Sequence, residues 1–577
     1  MDEAIDRSTD VSQPLGRLGP DETLKHESDQ LRGSIRQSLA DELSWAVAQG
    51  DAKLLKFQGI YQQDDRDLRD ERRRQRLEPA YQFMVRVRLP GGVCTPAQWL
   101  KLDTLARTYG NGTLRMTTRQ TFQFHWVLKH GLQPLIQGLS EVGLDSVAAC
   151  GDDSRGVMCA VNPELSALHA ELAALAKESS DRAVPRMHAY REIWYGEARA
   201  ETSGAEEPFY GSTYMPRKFK IGFVLPPSND IDIYAQDLGY IAIVEDGAIV
   251  GFNVVIGGGM GRTDRVPTTY PRLASLIGFI PKDRVFATSE ATMSVQRDYG
   301  NRLDRARARF KYTIDDKGLD WVKAEIERRL GFAFAPARPH AFTSNGDVLG
   351  WARGTDGRHH FTVHVDNGRL LAGADGPAMD GLRAIAEIHK GSFRLTPNQN
   401  VIIADIAPRA RAGIARLLAQ YGLDSTAPGS GLRRNAMACV ALPTCGLAMA
   451  ESERYLPSLL DKLDPLLVRH GLADTPITLR MSGCPNGCSR PYIAEIALTG
   501  RAPGKYNLYI GGGFHGERLG TLHRENIGEA QILETLDSLF ARYAAERGAG
   551  EHFGDFCVRA GLAQVDPNSP SPVPLER

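Results

Sequence analysis

Half of the chain's eight cysteines lie between positions 439 and 488. They form two pairs, Cys439 with Cys445 in MACVALPTCGLAM and Cys484 with Cys488 in RMSGCPNGCSRPY. Thiolates bind soft metals, and an iron–sulfur cube needs four ligands that converge on its corners. Because the proline and glycine of GCPNGC favour a tight turn, the sulfurs of the second pair can face one point. The spacing therefore predicts an iron–sulfur site.

Other chemistry for these thiols stays open on spacing alone. Structural zinc usually prefers Cys-x2–4-Cys in both pairs, which the wider first pair does not offer. Disulfides and plain core thiols are the remaining interpretations. The acidic, polar N-terminus lacks the features of a secretory signal, so we expect a cytoplasmic protein, in which clustered thiols favour metals over disulfides. The default interpretation of the scattered cysteines is single buried thiols: Cys94, Cys150, Cys159 and Cys557.

Two stretches near the first third of the chain alternate between apolar and polar residues. QFMVRVRLPGG predicts a strand with Arg86 on its polar face. If TLRMTTRQTFQFHWVLK is also extended, Arg115, Arg119, Gln123 and His125 point to one side and the aromatic residues to the other. Such a face suggests a buried anion site, and the alternative is an exposed polar sheet face.

The chain contains an internal repeat. GTLRMTTRQTFQF resembles GSFRLTPNQNVII at 391–403, and GFNVVIGGGMGRTD resembles YNLYIGGGFHGERLG. The order a–b–a′–b′ predicts an α+β fold of two duplicated halves, each of mixed or antiparallel sheets with helices, and cofactors bound between them. Two segments, ESERYLPSLLDKLDPLLVRHG and EAQILETLDSLFARYAAERG, have the apolar spacing of core helices. Only the second copy carries the cysteine pairs.

Composition narrows the classes of function. The 577 residues include 69 Lys+Arg and 70 Asp+Glu, so nothing indicates nucleic acid as a partner. The longest apolar stretch is interrupted by Glu245 and Asp246, which argues against a membrane span. Residues 1–75 are highly charged, and we expect them to contribute little core and to form either a solvated arm or a segment that docks a partner.

The cysteine pattern is similar to that of one known family. Cys-x5-Cys followed by GCPNGC resembles the sirohaem-containing sulfite and nitrite reductases. KHESDQLRG, GIYQQDDRD, TTRQTFQFH, YMPRKFK, IHKGSFRLTPNQN and GDFCVRAG extend the resemblance from about residue 24 to 561 and resemble the sulfite branch. The resemblance implies that the four cysteines hold a [4Fe-4S] cluster, that Cys488 is also the axial ligand of sirohaem iron, and that Asn486 lies by the cluster.

The resemblance also implies the remaining site residues. Arg115, Arg119 and Gln123 would bind the sirohaem carboxylates, which guanidinium groups suit. The substrate anion would be held and protonated by Arg86, Arg155, Lys218 and Lys220. The implied reaction is the six-electron reduction of sulfite to sulfide, in sulfate assimilation and cysteine biosynthesis. Neither triple-glycine run has the Gly-x-Gly-x-x-Gly spacing, so NADPH would act through a separate flavoprotein (alpha) subunit.

These expectations give a division of the chain. The arm spans 1–75, a ferredoxin-like half-domain 76–160, a sirohaem-type domain without cluster ligands 161–335, a second ferredoxin-like half-domain 336–425, and the cluster-bearing domain 426–577. The segment after Gly259 looks short beside the family. The alternatives are a ferredoxin-dependent sirohaem nitrite reductase, a non-enzymatic iron–sulfur redox protein and a zinc-stabilised structural protein.

Overall fold

The structure is a computed structural model that describes residues 18–161, 166–199, 207–373 and 376–565. The first 17 residues of the predicted arm lie outside the described residues. The strands are β1 (Ile60–Asp64), β2 (Tyr81–Arg86), β3 (Val93–Cys94), β4 (Leu114–Met116), β5 (Phe122–Val127), β6 (Met158–Cys159), β7 (Ile221–Val224), β8 (Leu238–Glu245), β9 (Ala248–Ile256), β10 (Ser275–Pro281), β11 (Gly350–Arg353), β12 (His359–Val363), β13 (Arg369–Leu370), β14 (Ser392–Leu395), β15 (Val401–Ile406), β16 (Ala436–Ala438), β17 (Leu479–Ser482), β18 (Ile496–Ala502), β19 (Lys505–Ile510) and β20 (Thr521–Ile527).

Helices alternate with these strands through the described residues. They are α1 (Pro20–Glu27), α2 (Ile35–Ala40), α3 (Gln49–Leu54), α4 (Arg69–Arg74), α5 (Pro96–Tyr109), α6 (Leu132–Ser140), α7 (Ser166–Ala183), α8 (His188–Tyr195), α9 (Val285–Tyr299), α10 (Phe310–Lys317), α11 (Leu319–Leu330), α12 (Ala378–Ile388), α13 (Arg411–Gln420), α14 (Gly431–Arg434), α15 (Leu456–Arg469), α16 (Glu529–Glu546) and α17 (Phe553–Arg559). No helix of the described segments is long and apolar enough to cross a membrane.

The strands form four five-stranded sheets that repeat two designs. Sheet 1 (β1-β2-β5-β4-β13) and sheet 3 (β11-β12-β15-β14-β3) are antiparallel. Sheet 2 (β10-β9-β8-β7-β6) and sheet 4 (β16-β17-β18-β19-β20) each join two parallel ladders to two antiparallel ones. The predicted α+β duplication is confirmed.

The two halves exchange a short strand. β13 belongs to the second half by sequence but pairs with β4 of sheet 1, with Arg369 opposite Arg115. In return, β3 of the first half pairs with β14 of sheet 3, with Cys94 opposite Phe393. Each antiparallel sheet therefore needs both halves of the chain.

From residue 18 on, the charged N-terminal segment contributes to the core, which corrects the expectation that it contributes little. Leu31, Ile35, Leu54, Leu55 and Ile60 are buried at 0–1% exposure. β1 extends sheet 1 by pairing with β2 in antiparallel register. The periodic apolar positions of this segment are widely spaced among charged residues, so composition hides them.

The stretch from Leu114 to Val127 is a hairpin, and the expectation of one extended strand is wrong. β4 ends at Met116 and β5 begins at Phe122, with a tight turn closed by the Thr117 amide donating to the Thr121 carbonyl at 2.9 Å. Gln120 has φ +53° in this turn. The alternating polar pattern continues through the turn, so periodicity alone does not reveal it.

Candidate functional site

A cavity of about 580 Å³ lies where sheet 1 meets the cysteine loops of sheet 4. Its wall also includes the N-terminal segment and the loop before β6. It brings together ten of the twelve residues expected at the site: Arg86, Arg115, Gln123, Arg155, Lys218, Asn486, Cys439, Cys445, Cys484 and Cys488. Arg119 and Lys220 are not in its lining.

The four thiols reach the cavity because two neighbouring strands end there. β16 and β17 are parallel, so their carboxyl ends meet at one sheet edge. Cys439 directly follows β16, and the turn with Cys484 and Cys488 follows β17. The Gly483 amide donates to the Sγ of Cys439 at 3.3 Å.

Burial keeps three of these cysteines, Cys439, Cys445 and Cys484, protonated in the absence of a metal. It raises the pKa of Cys439 to about 12 and of Cys484 to about 11, and the nearby Cys488 thiol adds to both shifts. The pKa of Cys445 also rises to about 12 for the same reasons. The Asn486 side-chain amide donates to the Sγ of Cys484 at 3.4 Å. A bound metal would deprotonate such thiols outright.

Three of the expected residues lie side by side on sheet 1. Gln123 is the register partner of Arg86 on β2 and of Arg115 on β4. Residues directly opposite each other in an antiparallel sheet share a face, so all three side chains point into the cavity. Arg115 and Gln123 were expected to share one face of a single strand, and they share one face of the hairpin instead.

Arg115 has protein partners that the sequence did not indicate. Its Nε donates to Glu453 at 2.6 Å, and its Nη2 donates to the carbonyl of Ala438 at 3.0 Å. The Cys439 carbonyl accepts from the Glu453 amide at 3.1 Å. Arg115 therefore bonds the carbonyl directly before Cys439 and, through Glu453, is linked to the carbonyl of Cys439 itself.

Arg119 and Lys220 form a cationic layer beside the cavity. Arg119 lies in the hairpin turn and donates to Gln236 Oε1 at 3.1 Å and to the Gly156 carbonyl at 2.8 Å. Burial lowers the pKa of Arg119 to about 9, helped by Arg155. Burial, with Arg119 nearby, also lowers the pKa of Lys220 well below its usual range. Repulsion among these groups favours a bound anion.

Arg155 is held beside the segment that precedes β7. The Arg155 amide donates to the carbonyl of Phe219 at 2.8 Å, and Phe219 is the buried residue between Lys218 and Lys220 in the sequence. Burial, with Arg217 close by, lowers the pKa of Lys218 well below its usual range. An ammonium in this state gives up its proton readily.

Asp152 is a site residue that the sequence reasoning missed. It accepts from Arg305 at 2.8 and 3.1 Å and from Arg217 at 3.4 Å, and Lys25 lies 3.7 Å away. Burial alone would raise the pKa of Asp152, but these cations hold it well below its usual range. The acidic pair in GDDSRG, beside the expected Arg155, was the available signal.

Two other wall residues carry unsatisfied or shifted polar groups. His125 is fully buried, and neither ring nitrogen has a hydrogen-bond partner. Burial, with Arg369 and Arg115 nearby, lowers its pKa well below the usual value. Burial raises the pKa of Tyr61 to about 12. Both face the cavity, and His125 was visible in the sequence on the expected polar face.

Family models match three parts of the chain. "Nitrite/Sulfite reductase ferredoxin-like half domain" matches residues 74–142 and 352–421, and "Nitrite and sulphite reductase 4Fe-4S domain" matches residues 179–334. Full-length relatives are similar throughout. The sulfite reductase (NADPH) hemoprotein beta-component of Nitrobacter hamburgensis is 69% identical, with 96% of each chain covered. The protein of the same name from Oceanobacillus iheyensis is 54% identical, again with 96% of each covered.

The chain belongs to the family of sulfite reductase (NADPH) hemoprotein beta-components.

A solved structure supports the fold of this hemoprotein family member. The NirA protein of Mycobacterium tuberculosis superposes with a TM-score of 0.75 at 24% identity, covering 95% of this chain and 97% of that one. The 4Fe-4S domain model matches the copy built on sheet 2, and the matched segment contains none of the eight cysteines. That match therefore reports the fold of the repeated unit, and the ligand assignment rests on the cavity.

Proposed function

We propose that this chain is the catalytic subunit of an assimilatory NADPH-dependent sulfite reductase and performs the six-electron reduction of sulfite to sulfide. One observation carries the proposal: a single cavity is lined by four cysteines and by a set of cationic side chains. The thiols suit a metal cluster, and the cations suit an oxyanion.

The residues present fit a sirohaem and a [4Fe-4S] cluster. The cavity has a volume typical of cofactor sites, and several groups in its wall lack protein partners, among them both ring nitrogens of His125 and the Nε of Arg86. Cys488 is exposed to the cavity, whereas Cys484 is buried. The Cys488 thiol is thus the one placed to bind both a cluster and a haem iron, as the family resemblance implies.

The spacing of the thiols favours a cluster over zinc. Structural zinc usually prefers Cys-x2–4-Cys in both pairs, which the wider pair of Cys439 and Cys445 does not offer. An iron–sulfur cube takes four thiolates that converge on its corners, and the two pairs can supply them. We therefore assign Cys439, Cys445, Cys484 and Cys488 to the cluster.

The cofactors would supply the iron that binds the sulfur of sulfite and the electrons that reduce it. The chain's own residues bind, orient and protonate the anion. Arg86 and Arg155 are placed to hold sulfite oxygens in charge-assisted hydrogen bonds. Lys218, whose pKa is lowered, is placed to donate protons as those oxygens leave as water, and Lys220 lies behind it as a second donor.

The binding of sirohaem carboxylates divides among the expected residues. Gln123 and Arg115 face the cavity, although Arg115 shares its guanidinium with Glu453. Arg119 lies in the hairpin turn beside the cavity. Its guanidinium has no carboxylate partner at hydrogen-bond distance among the described residues. An anionic cofactor would offset these charges.

Electrons from NADPH require a partner, which we infer to be a flavoprotein alpha subunit. The family name, a beta-component, implies a second subunit. The glycine runs serve packing instead of nucleotide binding: a Cβ on Gly258 would lie 2.2 Å from the Tyr234 carbonyl oxygen, and one on Gly512 would lie 2.2 Å from that of Ala494. We place this assembly in the cytoplasm and expect the N-terminal segment to contribute to docking.

The test is sulfite-dependent oxidation of reduced methyl viologen by the purified holoenzyme, with sulfide measured directly. We expect sulfide in proportion to the electrons consumed, and absorption bands of sirohaem. Nitrite serves as the competing substrate, and we expect a lower kcat/KM for it because it carries less charge than sulfite. A tenfold preference for nitrite would favour the nitrite reductase alternative. NADPH should support turnover only when the flavoprotein is added.

A further inference from the structure

A short piece of the N-terminal segment grips the loop that carries Cys445. The Arg66 amide donates to the Pro443 carbonyl at 3.1 Å. The Nη1 of Arg66 donates to the Cys445 carbonyl at 3.2 Å and also to the Ala448 carbonyl. Next to it, Asp67 pairs with Arg454 at 2.6 Å. These contacts join positions that are more than 370 residues apart in sequence.

The gripped turn is the one that surrounds the Cys445 sulfur. The Ala448 amide donates to the Cys445 carbonyl at 3.1 Å and closes the turn directly after this cysteine. The same turn presents the carbonyls of Cys445 and Ala448 to Arg66. One guanidinium therefore bonds a carbonyl at each end of the turn and fixes the orientation of its peptide groups.

The tip of this turn packs little against the rest of the protein. Leu447 is 67% exposed, and a Cβ added to Gly446 would meet no atom within 4 Å, whereas Ala448 is buried. A tip with so little packing depends on its hydrogen bonds for its geometry. Of the partners described here, Arg66 is the side chain that bonds two of its carbonyls.

We propose that Arg66 is a positioning residue that sets the reduction potential of the iron–sulfur cluster through the Cys445 turn. The inference rests on the proposed function, which gives Cys445 to the cluster. Hydrogen bonds to cluster sulfurs and nearby positive charge favour the reduced, more negative state. Arg66 supplies the charge and orients the peptide groups of the turn that carries Cys445, so its loss lowers the potential by both routes.

The experiment is a potentiometric titration of the holoenzyme, followed by the electron paramagnetic resonance signal of the reduced cluster. Arg66→Met should keep its iron and show a more negative midpoint. At the wild-type midpoint we expect the ratio of reduced to oxidised cluster to fall about tenfold, which is 59 mV for one electron. Arg66→Lys keeps the charge but bonds fewer carbonyls, so its midpoint should lie between the two.

Arg69→Met is the matched control. Arg69 lies three positions away, carries the same group and pairs with Asp64 at 2.6 Å instead of with the cysteine loop. Its midpoint should equal that of the wild type. Asp67→Asn, which removes the tether to Arg454 but no carbonyl contact, should shift the midpoint less than Arg66→Met.

Failure of this inference differs from failure of the proposed function. A wild-type holoenzyme without a [4Fe-4S] signal overturns the function. A wild-type signal with an unchanged midpoint in iron-replete Arg66→Met overturns only the role of Arg66. If Arg66→Met loses its iron, Arg66→Lys decides, and a wild-type midpoint in that variant would likewise reject the inference.

Discussion

Sheets 2 and 4 contain the same turn, and only one of them carries cysteines. Ile221 pairs with Leu238 on sheet 2, and Leu479 pairs with Ile496 on sheet 4, so segments 221–238 and 479–496 have equal length and register. Aligned without a gap, Cys484 corresponds to Pro226 and Cys488 to Asp230. The strand framework is therefore shared, and what distinguishes the cluster-bearing copy lies in the turn between the paired strands.

The strands before these turns extend the correspondence. The Ala160 amide donates to the Phe223 carbonyl at 2.9 Å, and the Cys439 amide donates to the Met481 carbonyl at 3.1 Å. Ala160 thus occupies the place of Cys439. We call the unit built on sheet 2 copy 1 and the unit built on sheet 4 copy 2. At this edge, copy 2 has the thiols of Cys439, Cys484 and Cys488. Copy 1 has an alanine, a proline and a buried carboxyl in their places, which cannot bind an iron–sulfur cube.

The two copies also support each other reciprocally. The loop after the first triple glycine rests on the cysteine turn, because the Arg262 amide donates to the Pro485 carbonyl at 3.1 Å. The loop after the second triple glycine rests on the corresponding turn of copy 1, where Asn229 donates to the His515 carbonyl at 2.6 Å. The copy without cysteines is therefore a structural support for the copy that has them.

Replacing a cluster thiol should have the largest effect. Cys488→Ser removes the thiol exposed to the cavity, so we expect loss of both the sirohaem bands and cluster iron, with activity at least about 1,000-fold lower. Cys557→Ala is the control, since Cys557 lies in the apolar core of sheet 4. Full iron content and unchanged sirohaem bands in Cys488→Ser would contradict the assignment of the cluster to the copy that carries the cysteines.

Lys218 lies in copy 1, just before β7, and is the proton donor that we propose for the reaction. Lys218→Met should lower kcat about 100- to 1,000-fold with a smaller change in KM, because a proton donor acts in the transition state. Lys101→Met, which removes a lysine paired with Glu141 on the surface, should leave both constants unchanged. Steady-state kinetics with reduced methyl viologen make the measurement, and a variant altered only in KM would refute the role.

The same lysine predicts a pH dependence. The pKa of Lys218 lies well below its ordinary 10.5, because the side chain is buried beside Arg217. The donor is protonated below that pKa and loses its proton above it. Wild-type kcat should therefore fall with rising pH earlier than an ordinary lysine would allow, and Lys218→Met should lack this limb.

One buried ion-pair cluster joins equivalent positions of the two turns. Asp232 and Arg490 correspond to each other, and Asp232 pairs with Arg490 and, at 2.7 Å, with Arg480. Asp232→Asn leaves two buried guanidinium groups without their counter-charge, so unfolding should become easier by about 3–5 kcal/mol. Chemical denaturation measures this, with Asp264→Asn, which breaks a half-exposed pair with Arg501, as the control at under about 1 kcal/mol.

The stabilisation that Asp232 provides should depend on pH. Burial alone would raise the pKa of Asp232, but Arg480 and Arg490 lower it below its ordinary value. The stabilisation is present above the unfolded pKa of about 3.9 and is lost as the pH falls through the folded pKa. The difference between wild type and Asp232→Asn should therefore shrink in acid, and a constant difference would contradict this account.

The smallest effect should come from the reciprocal loop contact. Asn229→Ala removes the hydrogen bond to the His515 carbonyl and the one accepted from the Ile233 amide at 2.8 Å. We expect about 1–2 kcal/mol lower stability and unchanged iron content. Loss of iron in this variant would show that the contact in copy 1 controls the distant thiols.

Much of this comparison could be predicted from the sequence because it depends on local patterns. The repeat order and the cysteine spacing gave the duplication and the four-thiol site. The apolar positions of α16, such as Ile532, Leu536 and Phe540, are buried as their helical spacing predicts. Arg86 and Gln123 share a sheet face as alternation indicates.

The parts that could not be predicted depend on distant contacts. Nothing in the pattern around Arg115 shows that Glu453 would take its guanidinium, and nothing around Asp152 shows that Lys25 and Arg305 would converge on it. Charged composition also concealed that the N-terminal segment is buried. The predicted domain boundaries stay predictions.

The strand exchange between sheets 1 and 3 constrains how the molecule can come apart. Since β13 pairs with β4 and β3 pairs with β14, the chain has the geometry of a strand-swapped dimer whose two subunits have been joined. Cleavage of the connection between α11 and β11 would leave two fragments interlocked by their edges, each completing a sheet of the other. Since the cavity has walls from both halves, the exchange ties its two sides together through backbone hydrogen bonds as well as through the connecting chain.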